Sequence, residues 1–159
     1  QLVRNHQVKK TYQTLVLGPV NPEKGEIVTQ ISRDKKDFRK KTTSTFSLDD
    51  SAKTAISKYQ AINNFSLKSS VLSLLSVSIE TGRTHQIRTQ MKYKGWPIIG
   101  DQTYNTKISK RISQQLGLNR QFLHAQKLEL EYNGKSIKLE SNLPYDLNNI
   151  LQHLHKDEK

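Results

Sequence analysis

The sequence predicts an α+β fold, a mostly antiparallel mixed β-sheet carrying a few short helices. Three observations predict it. Runs of β-formers alternate with a period of two and are punctuated by Gly and Pro; the period changes to that of a helix after Gly82; and Asn133-Gly134 separates two strand-like runs by the two residues a tight hairpin needs. TYQTLVL (11–17) is the first strand, broken by Gly18-Pro19, and EIVTQIS (26–32) is the second. The basic run 33–41 is then a loop or hairpin tip. TSTFSL (43–48), KTAISKYQAIN (53–63) and SVLSLLSVSI (70–79) read as three further strands. In the last of these Val71, Ser73, Leu75, Val77 and Ile79 share one face while Leu72 and Leu74 occupy the other, which predicts a central strand. Ile87 and Met91 fall at i and i+4, with Thr84 as N-cap and Gly95 as stop, so 84–94 is a short helix. A polar helix follows over 108–116. LHAQKLELEY and SIKLES flank Asn133-Gly134, and Leu147, Ile150, Leu151 and Leu154 mark an amphipathic helix opened by Pro144.

A chain of 159 residues suits one domain. Leu, Ile, Val and Phe supply 41 of them, above the roughly one fifth below which chains tend to remain disordered. There are no cysteines, which excludes disulfides, thiol nucleophiles and thiolate metal sites and fits a reducing compartment. No stretch approaches the about 18 apolar residues of a membrane span, and the first ten residues have no apolar core of a signal peptide. The expected location is the cytoplasm, without a membrane partner.

The formal net charge is +12, and 11 of those charges fall in residues 33–41 and 83–120. Two concentrated basic regions suit a polyanion, so RNA or DNA is the expected partner rather than a small acidic metabolite. Other chemistries lose their sequence support. Asn133-Gly134-Lys135-Ser136 contains the GKS of a phosphate-binding loop, but the position requiring the first glycine is Glu129. The five histidines show no metal-ligand spacing, so no metal is expected. No dinucleotide fingerprint, hydrolase elbow or zinc-protease motif occurs.

What remains is ETGRTHQIR (80–88), which crowds Arg83, His85 and Arg88 around Gly82 where a strand gives way to a helix. A glycine there permits a tight turn, and a helix start offers N–H groups to an anion. On these grounds alone the corner is an anion or nucleobase pocket of unspecified chemistry. A capped helix with solvated arginines explains the same residues equally well.

ETGRTHQIRTQMKYKGWPIIGDQTY (80–104) resembles the signature of the RluA-like RNA pseudouridine synthases, a T-G-R-T/S-H-Q-I/L-R helix followed by G-H-P-I-x-G-D-x-x-Y. VKKTYQTLVLG (8–18) resembles their K-x-Y-x-A-L-V-x-G strand, AKTAISKYQ (52–60) their K-x-A-x-T strand, FLHAQKLEL (122–130) their L-H-A-x-x-L strand, and NLPYDLNNIL (142–151) their closing P-x-D-L helix. Trp96 stands where the family has His, and Thr89-Gln90 where Val-His is common. These differences are expected to affect substrate fit at most. The family's catalytic aspartate lies in a His-Arg-Leu-Asp motif upstream of the K-x-Y strand, and none of the aspartates here has that context. The resemblance therefore implies the C-terminal portion of a single catalytic domain over residues 1–159, incomplete at its N-terminal side and inactive alone.

It also implies a reaction. Uridine becomes pseudouridine when the bond to N1 of uracil breaks, the base turns, and the sugar is rejoined at C5, with no redox change and no cofactor. The target base must first leave its stack. By resemblance, Tyr12 stacks on the uracil and accepts the C5 proton, Ile87 forms an apolar floor, and Arg88 pairs with the catalytic carboxylate. Arg83 and His85 support the loop or the RNA backbone. Lys35, Lys36, Arg39, Lys40 and Lys41 contact phosphates as a group. The implied partner is structured RNA, ribosomal RNA first and tRNA second. A non-catalytic RNA-binding protein that keeps the platform is the alternative. Because an unpaired buried arginine is costly, Arg88 is expected to be solvent-accessible or to borrow another acid such as Glu80. A buried Arg88 bound to an aspartate of this chain would overturn the expectation that the nucleophile is missing.

Overall fold

The computed structural model describes residues 8–34, 37, 39–47 and 49–156. Lys35 and Lys36 lie outside the described residues. The strands are β1 (Val8–Leu17), β2 (Lys24–Arg33), β3 (Lys41–Ser44), β4 (Lys53–Leu67), β5 (Ser70–Ile79), β6 (Leu123–Tyr132), β7 (Lys135–Glu140) and the short β8 (His155–Lys156). The helices are α1 (Gln86–Tyr93), α2 (Lys107–Gln115) and α3 (Tyr145–His153). The sheet runs β3-β2-β4-β5-β1-β6-β7, with β8 on β4 where β2 has ended. Every ladder among the described residues is antiparallel.

The central position expected of SVLSLLSVSI is met: β5 pairs with both β4 and β1, and Leu72, Leu74, Leu75 and Val77 are buried. The hairpin at Asn133-Gly134 has φ of 50° and 71°, the pair of positive values that a type I′ turn requires. The strand expected over TSTFSL is corrected. Pairing covers only Lys41–Ser44, opposite Arg33 to Gln30; β2 runs on toward Lys24, but the chain leaves it after Ser44 and Phe46 is 74% exposed, while Leu48 lies outside the described residues.

Paired residues in a ladder share a face. Gly25, Tyr59, Val77 and Tyr12 are successive partners, so they line one face, and Tyr59 meets Trp96 edge-on at 5.3 Å on that side. This is the face that α1 covers. The segment after α1 is stitched to β1 by Leu17 N–H to Pro97 O at 3.0 Å and Ile99 N–H to Leu15 O at 2.9 Å. One short stretch thus ties the tyrosine-bearing strand to the arginine-bearing helix. Among the described residues no helix is long and apolar enough to cross a membrane.

Candidate functional site

The start of α1 departs from expectation. Thr84 is not the N-cap. His85 is, with φ 58° in the left-handed region and no side-chain cap bond. The strained residue of the turn is therefore the histidine and not Gly82. Its conformation is held from inside the turn, where Gln86 Oε1 accepts from Arg83 N–H at 3.0 Å and from Thr81 Oγ1 at 2.8 Å. The end of the helix follows the sequence. Trp96 N–H reaches Met91 O and Gly95 N–H reaches Lys92 O, the paired bonds of a Schellman motif.

Two stripes of α1 have different duties. Gln86 and Gln90, one turn apart, point into the sheet. Gln86 Nε2 donates to Ile56 O and Ser57 Oγ. Gln90 Nε2 donates to Ile27 O at 3.2 Å, Thr29 Oγ1 at 2.9 Å and Ala55 O at 3.1 Å, while its Oε1 accepts from Ser57 Oγ at 2.6 Å. Gln90 is fully buried, so the expectation that Thr89-Gln90 bears on substrate fit at most is corrected: this amide fastens the helix to strands β2 and β4. Gln90→Ala leaves several buried groups without partners and is expected to cost about 2 to 4 kcal/mol, read as a lowered urea midpoint with an unchanged slope.

His85, Arg88 and Lys92 form the second stripe, and residues 101–105 clasp it. Arg88 donates from Nε to Asp101 Oδ2 at 2.7 Å and from Nη2 to Oδ1 at 2.8 Å. Asp101 Oδ1 also accepts the Thr103 and Tyr104 amides at 2.8 and 2.9 Å. The Asp101 side chain has no exposed surface and that of Arg88 is 13% exposed. Burial alone would raise the Asp101 pKa, but the guanidinium and the two amides outweigh it and hold the carboxyl below its ordinary value. The Tyr104 ring lies 5.0 Å from the guanidinium carbon, and Lys92 Nζ donates to Asn105 O.

Here the expectation for Arg88 is corrected. It is mostly buried and paired within the chain, not accessible and not paired with Glu80; Glu80 meets Lys58 at 2.5 Å instead. Arg88 is buried against an aspartate of this chain, which overturns the expectation of a missing nucleophile as drawn from this arginine. Asp101 does not itself supply the attacking group, because both of its oxygens are occupied and closed off from solvent.

Tyr104 is the joint of the corner. Its hydroxyl accepts Lys41 N–H at 2.8 Å and lies 3.0 Å from His85 Nδ1. The two rings share one hydrogen bond, with the phenol or the imidazole as donor according to the His85 tautomer. Burial, with the charges of Arg88 and Lys41, lowers the His85 pKa against the opposing pull of Asp101. The neutral imidazole is thereby favoured.

The remaining expected residues divide. Ile87 is 5% exposed in the main core cluster, and Tyr12, half-buried on β1, packs against that same cluster. Burial pushes the Tyr12 phenol up, so it keeps its proton at neutral pH. Tyr12 makes no hydrogen bond or ring contact with Arg88 among the described residues. Arg83 spends its Nε on Thr54 O at 3.0 Å. Arg39 and Lys40 both engage Asp37, whose pKa Arg39 lowers to about 2. Lys41 is anchored through its backbone to Tyr104. Sequence reasoning missed Asp101, Tyr104 and Gln90 as parts of the site, although the G-D-x-x-Y spacing carried the first two; it read Gln86 as a neutral donor and acceptor of the corner, where its amide closes the turn instead.

The chain's similarities to known proteins concentrate on one family. The RNA pseudouridylate synthase family pattern matches residues 1–93. An uncharacterized RNA pseudouridine synthase, YlyB, of Bacillus subtilis (strain 168) is 32% identical over 159 residues, covering 99% of this chain and 47% of the relative. Ribosomal large subunit pseudouridine synthase D of Borreliella burgdorferi is 34% identical over 138 residues, covering 87% of this chain and 38% of that protein. The solved structure of human RNA pseudouridylate synthase domain containing 1 superposes with a TM-score of 0.80 at 20% identity, covering 97% of this chain and 62% of that one, a likeness of fold. The chain spans about half the length of the curated relatives it matches. With its strand, helix and G-D-x-x-Y segments placed in one corner and matched along nearly their whole course, the chain belongs to the RNA pseudouridylate synthase family, in its RluA-like branch.

Proposed function

We propose that this chain forms the base-holding part of an RNA pseudouridine synthase, acting in the cytoplasm on uridine in structured RNA, ribosomal RNA in the first place. The observation that carries the reading is the corner itself: the Arg88 guanidinium oriented by Asp101 and covered by Tyr104, on the helix whose Ile87 joins the apolar cluster that Tyr12 packs against. Asp101 uses Nε and Nη2 and leaves Nη1 for a second anion. The relatives named for the ribosomal large subunit support the choice of RNA, and tRNA is the competing substrate.

The attacking carboxylate comes from polypeptide beyond these 159 residues. None of the aspartates here stands in the family's His-Arg-Leu-Asp context, and Asp101, the one that Arg88 holds, is enclosed. The test is tritium release from RNA carrying tritium at uridine C5. The isolated chain is expected to release none and the whole protein to release it, with Tyr12→Phe in the whole protein slower by about a hundredfold or more. Release by the isolated chain would put the nucleophile within it. No release by either, with RNA still bound, would make this an RNA-binding platform without chemistry.

A further inference from the structure

The register of the β2–β3 hairpin contains a repulsion that the fold alone does not justify. Arg33 and Lys41 stand directly opposite one another, and Lys53 stands opposite Ile31, two residues before Arg33. Side chains two apart on a strand, or facing across a ladder, project from the same side, so all three cations share the face that α1 covers. Like charges directly opposite in a ladder are destabilising. The turn before α1 brings in a fourth, Arg83, beside the open backbone of Gly82 and the hydroxyl of Thr84. Together they line a cleft of about 540 Å³ that Ile31, Ser32 and Ser51 complete. No carboxylate lines it. No described carboxylate makes an ion pair with Arg33, Lys41, Lys53 or Arg83. Arg39 and Lys40, by contrast, are answered by Asp37.

We infer that this cleft is a binding site for an RNA backbone phosphodiester, with Arg33 and Lys53 as its principal cations. The chemistry of the lining selects the ligand. Cations and hydroxyl donors with no carboxylate among them suit the clustered oxygens of a phosphodiester and offer little to a base face. Its position gives it a task. Lys41 contributes to the cleft and, through its backbone, holds the Tyr104 hydroxyl that fixes His85. A phosphate seated there lies next to the base-holding corner and sets the register of the strand that delivers the uridine. The inference rests on RNA being the partner, as proposed above, and adds the residues that grip its backbone.

The test compares the salt dependence of affinity for a fluorescein-labelled RNA stem-loop containing an unpaired uridine, measured with the whole protein. Arg33→Gln with Lys53→Gln is expected to make the slope of log affinity against log salt shallower by about 1 to 2. Lys135→Gln with Lys138→Gln, an equal loss of charge on β7 at the far end of the sheet, is expected to leave the slope unchanged, and Arg33→Lys with Lys53→Arg to restore it. An unchanged slope in the first variant, or an equal change in the β7 variant, overturns the inference. Titration with the dinucleotide uridylyl-uridine, which carries a single phosphodiester, supplies a second readout. The Gly82 and Thr84 amide resonances are expected to shift in the parent and not in Arg33→Gln/Lys53→Gln; their failure to shift in the parent also overturns it. Cleft-dependent RNA binding without tritium release would sink the enzymatic reading and leave the phosphate site standing. Unaltered binding and release in the first variant would do the reverse.

Discussion

Asp101→Ala is expected to lower stability by about 3 to 5 kcal/mol, because it strands a mostly buried guanidinium and removes the acceptor of two backbone amides at once. The effect should be visible as a fall in Tm of roughly 10 °C. The coupling is the more telling quantity. Arg88→Leu combined with Asp101→Leu should be less destabilising than the two single changes added together, since the double variant buries no unpaired charge. Strict additivity in that cycle would mean that the two side chains merely lie side by side. The pH dependence has a defined sign. The folded-state pKa of Asp101 is lowered, so its contribution is fully present above the ordinary carboxylate value near 4 and is lost as pH falls through the lower folded value. The gap in Tm between parent and Asp101→Ala should therefore be constant from pH 7 down to about 5 and narrow in stronger acid.

Gly100→Ala should be at least as damaging, by about 4 kcal/mol or more, for a reason that has nothing to do with charge. Gly100 has φ of 81°, and a Cβ there would overlap the carbonyl oxygen of Arg120 and come within 2.9 Å of Leu118 Cδ2. The clashing oxygen is backbone, and the neighbouring amides are already spent: Gly100 N–H on Ser113 Oγ and Phe122 N–H on Ile99 O. The loop has no inexpensive way to yield. Gly117→Ala is the matched comparison. It shares a positive φ of 64° but has nothing within 4 Å of the added methyl, so it should cost only the left-handed strain of about 1 to 2 kcal/mol. Equal losses in the two variants, measured by urea unfolding, would show that strain and not overlap is what Gly100 avoids.

What the sequence made legible was whatever depends on neighbours a few positions away. The alternation of β5, the Asn133-Gly134 turn, the Gly95 stop and the Pro144 start each carry their information within a few residues, and each is found in place. The errors arose where a distant partner decides. Thr84 is a good capping residue by type, yet the turn is closed by the Gln86 amide and by Tyr104, nineteen positions beyond His85. Arg88 looked in need of an anion because Asp101 lies thirteen residues away across a turn whose course no periodicity reveals. Gln90 reads as a polar surface residue in a helix of low mean hydropathy, and only the carbonyls of Ile27 and Ala55, contributed by two other strands, give it a reason to be buried. The β3 strand was drawn too long because nothing in its own residues marks Ser44 as the point where the chain leaves β2.

The position of β1 has a consequence for synthesis. One side of this strand pairs with β5, but the other pairs with β6, and Thr14 hydrogen-bonds to Phe122 across 108 residues of chain. As the polypeptide leaves the ribosome, β2 with β3 and β4 with β5 can zip together as local hairpins, while the β6 side of β1 waits for the last quarter of the molecule. During that interval the nascent sheet presents an open row of amides and carbonyls, which is the state most prone to recruit a neighbouring chain. Lys9 and Lys10 lie on that waiting strand, and their charge makes the exposed row a poor template for aggregation until its own partner arrives.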